Sequence, residues 1–180
     1  IKSMTIEAYH NPALQNFVDF LPAIEPCDFE FSKDKLVSID CLRLDKVHPF
    51  VSGNKWYKLK YSILHAYQAG KTQLLSFGGA YSNHLHALAY AGQHLGMHTV
   101  GVIRGEPSET LNPTLQDCKD RGMALHWLPR EKYRQFASNA SARDAVSPQA
   151  SEYFQELYPD AWIIPEGGAG ADGVLGIETL

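Results

Sequence analysis

The sequence predicts an α/β protein with a mostly parallel sheet and flanking helices. Short apolar segments with the composition of strands alternate about four times with segments that carry helical periodicity or helix-start signals. The predicted strands are residues 74–77, 99–103, 124–128 and 161–164. Parallel strands bring their carboxyl ends to one edge of a sheet, so we expect the loops that follow them to hold ligands. These loops are residues 78–83, 104–112 and 165–173.

Charge and composition exclude some classes of function. The chain has 180 residues and a net charge of −4, and its basic residues form no run, so nucleic-acid binding is not predicted. No apolar stretch is long enough to span a membrane. The cysteines Cys27, Cys41 and Cys118 are odd in number and widely spaced, which predicts reduced thiols in a cytoplasmic protein.

The elements before the first predicted helix read as a β-hairpin. Phe29 and Phe31 alternate with polar residues, a polar turn follows at 33–35, and residues 36–44 are rich in β-formers. After this hairpin the period of the pattern changes to that of a helix. The predicted apolar stripe of this helix is Trp56, Leu59, Ile63 and Tyr67, with Gly70 as its end.

The later helices are marked by their start signals. Ser82 or Asn83 can cap a helix that ends at Gly96, and its predicted inward residues are Leu85, Leu88, Ala89 and Leu95. Two more helices are predicted from Pro113 to about residue 121 and from Pro148 to about residue 158. The chain opens on Ile1, and residues 176–180 resemble a helix start, so we expect the sequence to be part of a longer protein.

Lys55 is the first candidate for chemistry. It follows Ser-Gly-Asn at positions 52–54 and begins the predicted helix, where the helix N-terminus is already partly positive. Positive potential lowers the pKa of a lysine amine, and a neutral amine can attack a carbonyl group. Asn54 is a natural cap and hydrogen-bond donor. The alternative interpretation is an ordinary solvated lysine at a helix start.

Residues 78–84, Gly-Gly-Ala-Tyr-Ser-Asn-His, form the second candidate segment. Two glycines after a strand, followed by capping residues, are typical of an anion-receptive turn at a helix N-terminus. Ser82 offers a hydroxyl, Asn83 an amide and His84 an imidazole at this helix start. Plain capping by Ser82 or Asn83 is the alternative, although three polar groups exceed what a cap requires.

Three motifs together resemble one enzyme family. They are SGNKWYKL at 52–59, GGAYSNH at 78–84 and IPEGG at 164–168. In this order and spacing they resemble the 1-aminocyclopropane-1-carboxylate deaminase and D-cysteine desulfhydrase family of fold-type II pyridoxal phosphate enzymes. The resemblance covers most of the chain from about Asp45 onward. It implies a fold-type II architecture, pyridoxal 5'-phosphate as cofactor, and a lyase or deaminase that converts a small amino acid to a keto acid and ammonia.

The resemblance also implies roles for individual residues. Lys55 matches the lysine to which the cofactor is covalently attached, and Asn83 matches the asparagine that binds the cofactor's phenolic oxygen. Ser82 matches a serine at the reacting centre beside the substrate's carboxylate. His84 stands where the desulfhydrase branch also has histidine. We therefore expect Lys55 and Ser82 to be catalytic, Asn54 to bind the cofactor with Lys55 and Asn83, and Ser82, Asn83 and His84 to bind substrate.

The resemblance further implies how the chain is organised. Residues 1–57 are expected to belong to a large cofactor domain, residues 58–165 to a small α/β domain, and residues 166–180 to the return to the large domain. The family's phosphate cup and several substrate-binding residues are expected after residue 180. Tyr57 and Lys60 depart from the family, whose members often have arginine and glutamate there. A homodimer is expected.

Rival interpretations remain open beside this one. Residues 168–173 fit the dinucleotide pattern G-x-G-x-x-G, but they follow the fourth strand and Glu166 would repel a pyrophosphate. A metal site at His94 and His98 is disfavoured because Gly96 should end the helix between them. Cys118 is expected in the core with Leu115 rather than as a nucleophile. A truncated or degenerate relative acting as a non-catalytic interaction domain is the main functional alternative.

Overall fold

The computed structural model of the protein describes residues 22–32, 35–138 and 146–178. Residues 33 and 34 of the turn predicted at 33–35 and the first 21 residues of the predicted large domain lie outside this described part. Within it, no helix is long and apolar enough to cross a membrane.

The predicted hairpin is confirmed by two antiparallel strands. β1 (Ile24–Ser32) pairs with β2 (Lys35–Leu42). Most side chains of both strands are exposed. The guanidinium of Arg43 donates to the Glu25 carboxylate at 2.7 Å and the amine of Lys46 donates to it at 2.8 Å, so the end of the hairpin is tied to its beginning. A short 3-10 turn, Leu44–Lys46, then leads away from the hairpin.

A separate four-stranded sheet forms the centre of the fold. Its strands are β3 (Gln73–Gly78), β4 (His98–Arg104), β5 (Met123–Leu128) and β6 (Ala161–Ile164). They lie in the order β5-β4-β3-β6, and every neighbouring pair is parallel. The predicted parallel sheet is therefore confirmed, and the nearly continuous burial of β3 and β4 is typical of central parallel strands.

Six helices precede, connect or follow these strands in the described residues. They are α1 (Lys55–Gln68), α2 (Asn83–Leu95), α3 (Pro113–Asp120), α4 (Arg130–Ser138), α5 (Pro148–Leu157) and α6 (Ala171–Ile177). The predicted starts of α2, α3 and α5 are confirmed, and at these starts Ser82, Asn112 and Ser147 each accept a hydrogen bond from a backbone amide three residues later. Gly96 ends α2 in the left-handed conformation, as predicted.

One helix was missed and two predictions about helices were wrong. Helix α4 was not predicted, because its sequence is mostly polar and only Tyr133 and Phe136 turn inward. The last helix begins at Ala171 and not at Gly176, which packs within it. Tyr67 is 48% exposed, because Ala66 takes the inward position in the last turn of α1.

The helices cover both faces of the sheet. Helices α1, α2 and α3 pack on one face and α4 and α5 on the other, which gives two apolar cores separated by the sheet. Alternate residues of β3 serve the two cores, since Leu74 belongs to the first and Leu75 to the second. The first core includes Trp56, Leu59, Ile63, Leu85, Leu88, Leu115 and Cys118, so the predicted core position of Cys118 is confirmed.

Helix α6 lies unusually close to the start of α1. A Cβ atom on Gly176 would overlap the backbone oxygen of Tyr57, and one on Gly173 would overlap the backbone oxygen of Gly168. Gly168 in turn packs against Lys58, where a Cβ would come 2.9 Å from the Cβ of that lysine. Glycine is therefore required at these positions for α6 to approach α1.

Replacing Gly176 tests this close approach. We expect Gly176→Ala to lower the free energy of unfolding by about 1–3 kcal/mol, because the added methyl group must push α6 away from α1. Val174→Ala is the matched control, since Val174 lies in the same helix and is 58% exposed. Urea unfolding of both variants measures the difference. Equal stability of the two variants would contradict the close contact.

Candidate active site

The candidate site lies at the carboxyl edge of the parallel sheet. Strand β3 ends at Gly78 and a short loop leads to Ser82, while β6 ends at Ile164 and runs into the 3-10 turn Glu166–Gly168. The loops are adjacent because β3 and β6 pair in parallel. A Cβ on Gly78 would come 2.5 Å from the Ser82 hydroxyl oxygen, so glycine allows this tight passage from strand to helix.

Lys55 is the first residue of α1 and is half-buried. Its Nζ donates a hydrogen bond of 2.8 Å to Oδ1 of Asn54. Asn54 occupies the cap position of α1, but its side chain makes no capping hydrogen bond and holds the amine instead. Burial lowers the pKa of Lys55, and the positive charge of Lys58 lowers it further. The direction agrees with the prediction, although burial is the main cause.

Ser82 and Asn83 have different surroundings at the start of α2. The Ser82 hydroxyl accepts a hydrogen bond of 3.2 Å from the backbone amide of Leu85, so it acts as the helix cap. The side chain of Asn83 is exposed at the first position of the helix. The amide of Asn83 is therefore oriented toward solvent, where it could bind a ligand.

His84 is buried and joins the two loops through Ser76. Its Nε2 lies 2.8 Å from the Ser76 hydroxyl oxygen, and that hydroxyl is 2.9 Å from the carbonyl oxygen of Ile164. Because the hydroxyl has one proton and donates it to the carbonyl, it must accept from Nε2–H. This network assigns the tautomer of His84 and leaves Nδ1 as an acceptor. Nδ1 is buried without a hydrogen-bond partner among the described residues.

The electrostatic state of His84 connects it to Lys55. Burial is the main cause that lowers the pKa of His84 to about 3, and the charges of Lys55 and Lys58 lower it further. His84 is therefore neutral at physiological pH. The structure thus brings Lys55, Lys58 and His84 into one electrostatic neighbourhood, with Asn54 in contact with Lys55.

Sequence reasoning missed Ser76 and Lys58. Ser76 is the one polar residue between Leu74 and Phe77 in the buried part of β3, and a buried hydroxyl must find a partner. That signal was available in the sequence, but its partner His84 was not. Lys58 is one helical turn after Lys55, a spacing that places two like charges on the same face.

The structure also bears on the rival interpretations. The glycines of residues 168–173 are used for packing, since Gly168 lies against Lys58 and Gly173 lies against Gly168. His94 lies in α2 and His98 begins β4, with the left-handed Gly96 between them, so they do not share a helical face. No group of three potential metal-ligating side chains was found in the part of the chain that the structure describes.

The residues of the candidate site fit pyridoxal phosphate. The cofactor needs an amine that can be neutral, and Lys55 provides one that is half-buried and has a lowered pKa. The Asn83 amide is free to contact a ring oxygen, and the orphaned Nδ1 of His84 is a buried acceptor beside the lysines. Lys55, Asn54 and Asn83 are the residues that would hold it.

Comparison with known proteins gives relatives of one kind, although no family model matches the chain. The chain is 28% identical over 125 residues to a "Putative 1-aminocyclopropane-1-carboxylate deaminase" of Thermotoga maritima, covering 69% of this chain and 38% of that protein. It is 28% identical over 159 residues to a Pyrococcus abyssi protein of the same name, covering 88% and 43%. It is 24% identical over 131 residues to the mitochondrial bifunctional D-cysteine desulfhydrase/1-aminocyclopropane-1-carboxylate deaminase of Arabidopsis thaliana, covering 70% and 31%.

All three relatives carry the names of deaminases or desulfhydrases, so the predicted resemblance to that family is confirmed. The matched region spans less than half the length of each of these three relatives.

Solved structures agree on the fold. The crystal structure of an ACC deaminase homologue superposes with a TM-score of 0.60 at 22% identity, covering 92% of this chain and 51% of that one. The O-acetylserine dependent cystathionine beta-synthase of Helicobacter pylori superposes with a TM-score of 0.52 at 16% identity, covering 82% and 45%. The predicted fold class, the α/β architecture of fold-type II enzymes, is confirmed, and this chain covers about half of each structure.

The buried neutral His84 should make stability depend on pH. Its pKa is about 3 in the folded protein and 6.5 when unperturbed, so between these values the unfolded chain binds more protons. Stability that is complete above the unfolded pKa is therefore lost as the pH falls, by up to about 1.4 kcal/mol per pH unit. We expect His84→Gln to show a flatter dependence between pH 6.5 and about 5 in urea unfolding.

The exposed His98 provides the matched control for this measurement. His98→Gln should keep the dependence of the wild-type protein over the same pH range. An identical slope for His84→Gln and the wild type would show that His84 is not held neutral by burial.

Proposed function

We propose that this chain forms the lysine-bearing side of a pyridoxal phosphate site in a deaminase or desulfhydrase that acts on a small amino acid. The observation that carries the proposal is Lys55, a half-buried amine with a lowered pKa, held 2.8 Å from the Asn54 amide at the carboxyl edge of the sheet. The names of the relatives support the same reaction class. Pyridoxal phosphate, when bound, supplies the electron sink that lets a proton or leaving group depart.

Each site residue has a proposed task. The Nζ of Lys55 attaches the cofactor and, once released, moves a proton to or from the substrate. The Oδ1 of Asn54 orients that amine. The exposed amide of Asn83 binds the cofactor's phenolic oxygen. Ser82 would lie at the reacting centre, beside the substrate's carboxylate, with Asn83 and His84 as further substrate-binding residues. The products would be a keto acid and ammonia, with sulfide from D-cysteine.

Several features of the organisation also stay predictions. They are the domain boundaries at residues 57 and 165, the homodimer and the cytoplasmic location. The phosphate-binding side of the site belongs to the same set of expectations.

A second candidate function is a non-catalytic interaction domain. It is favoured by the six large apolar side chains that the hairpin exposes, which are more than the isolated apolar residues usual on a protein surface. These side chains are Ile24, Phe29, Phe31, Leu36, Ile39 and Leu42. A folded protein that fails to take up the cofactor would favour this candidate over the enzyme.

Attachment of the cofactor tests the first candidate directly. The purified protein, mixed with pyridoxal phosphate, should develop a visible absorption band, and borohydride reduction should fix the cofactor on the peptide that contains Lys55. Lys55→Ala should lose the band and the label, whereas Lys119→Ala, which removes an exposed lysine of α3, should keep both. Label that persists at the wild-type level in Lys55→Ala would rule out this assignment. Ammonia and sulfide release from D-cysteine, and ammonia release from 1-aminocyclopropane-1-carboxylate, then identify the substrate.

The charge of Lys58 should set the pH at which Lys55 reacts. Because Lys58 helps to lower the pKa of Lys55, Lys58→Gln should raise that pKa and move the onset of cofactor attachment to higher pH. The onset is read from the absorption band across a pH series. Lys119→Gln, with the same loss of charge far from Lys55 in sequence, should leave the onset unchanged. A shift of equal size in both variants would contradict a local effect.

A further inference from the structure

A cavity of about 390 Å³ lies beside the candidate site and is rich in arginine. Its lining residues are Arg104, Arg130, Tyr133, Arg134 and Glu166. Three of the six arginines in the chain therefore meet at one cavity. The volume suits a small organic or inorganic anion.

The fold explains why these side chains converge. Arg104 ends β4, and Glu166 begins the turn after β6, so both lie at the carboxyl edge of the sheet. Arg130 and Arg134 are four residues apart in α4, with Tyr133 on the same face. The positive charges are thus gathered by the regular geometry of one helix and one sheet edge.

The arginines of this cavity lack the ion pairs that other arginines have. Arg43 and Arg121 each bind a carboxylate at 2.6–2.7 Å. Among the described residues, no carboxylate lies within ion-pair distance of Arg104, Arg130 or Arg134. Glu166 is the one acidic residue in the cavity lining, so the cavity keeps an excess of two positive charges that an anion would neutralise.

Tyr133 is a second and independent sign of a missing ligand. It is 4% exposed, and its hydroxyl is buried without a hydrogen-bond partner in the described part of the chain. Burial is the main cause that raises the pKa of this hydroxyl, and Glu166 raises it further through its charge and as a hydrogen-bond acceptor that faces the hydroxyl, so the group stays protonated at physiological pH. The guanidinium of Arg104 lies 5.6 Å from the centre of the Tyr133 ring.

We propose that this cavity binds a small oxyanion, a phosphate or carboxylate group, through Arg104, Arg130 and Arg134 with the Tyr133 hydroxyl as a further donor. Guanidinium groups donate paired hydrogen bonds that match the oxygens of such anions. Three positive charges face one negative charge, that of Glu166. Anion binding in this cavity requires no cofactor and is independent of the proposed function.

The oxyanion has two possible sources, a free anion or the distal end of a substrate bound at Lys55. The second source is sterically reasonable because Arg104 borders the loop before Ser82. A Cβ atom placed on Gly79 would lie 3.5 Å from Nη2 of Arg104. The arginines would bind the oxyanion in the same way from either source, so an experiment is needed to distinguish the two.

Calorimetric titration with inorganic phosphate at constant ionic strength tests the cavity. We expect saturable binding that is weakened about tenfold in Arg130→Gln and in Arg134→Gln, since each removes a charge-assisted contact. Tyr133→Phe should weaken binding several-fold while keeping the buried ring. Glu166→Gln should tighten it, because a repelling charge is removed. Lys119→Gln, the matched loss of one surface charge, should bind like the wild type.

The variant Lys55→Ala distinguishes this cavity from the site of Lys55. Phosphate binding should persist in Lys55→Ala, and its loss there would assign the anion to the lysine site and overturn the proposal. Absence of saturable binding, or equal affinity in Arg130→Gln, Arg134→Gln and the wild type, would also overturn it. O-Phosphoserine that binds more tightly than phosphate identifies the anion as the end of a substrate, and equal affinity identifies a free oxyanion.

Discussion

The Ser76 hydroxyl accepts a hydrogen bond from His84 and donates one to the carbonyl oxygen of Ile164, and this pair of contacts holds the site together. It joins the middle of β3, the start of α2 and the end of β6 inside an otherwise apolar core. A buried hydroxyl or imidazole without partners would cost about 1–3 kcal/mol, so the two groups are interdependent. This network of hydrogen bonds fixes the positions of the loops that carry Ser82 and Glu166. Rigid placement of loops by a buried network is what a site at a sheet edge requires.

A second constraint positions the lysine side of the site. Helix α1 can begin where it does because α6 packs on it through glycine, with Gly176 against Tyr57 and Gly168 against Lys58. These contacts cover the backbone of Tyr57 and Lys58 in the first turn of α1, and burial is the main reason that the pKa of Lys55, in the same turn, falls. The chemistry attributed to Lys55 thus depends on residues more than a hundred positions later in the chain. No local property of residues 52–55 could produce the same burial.

Local signals in the sequence predicted the elements well, because they act within a few residues. The caps at Ser82, Asn112 and Ser147 and the end at Gly96 depend only on neighbouring backbone groups. Helix α4 was missed because only two apolar residues, Tyr133 and Phe136, mark its inward face in a mostly polar sequence. The motifs predicted which residues gather at the candidate site. They did not reveal that His84 would be buried against Ser76, since that contact depends on the packing of α2 over β3.

Electrostatics separates the two sites that share the sheet edge. The chain as a whole is negative, with a net charge of −4, yet Lys55, Lys58 and three arginines lie along this edge. A charge pair 4 Å apart is worth about 1 kcal/mol in water and about 4 kcal/mol at an effective dielectric constant of 20, so a partly enclosed cavity strengthens its hold on an anion. Among the described residues, Lys58 is the charge that lowers the pKa of Lys55, and the arginines do not contribute to that shift. The arginine cluster therefore has no part in lowering the pKa of the lysine, and the two groups of positive charge can act independently.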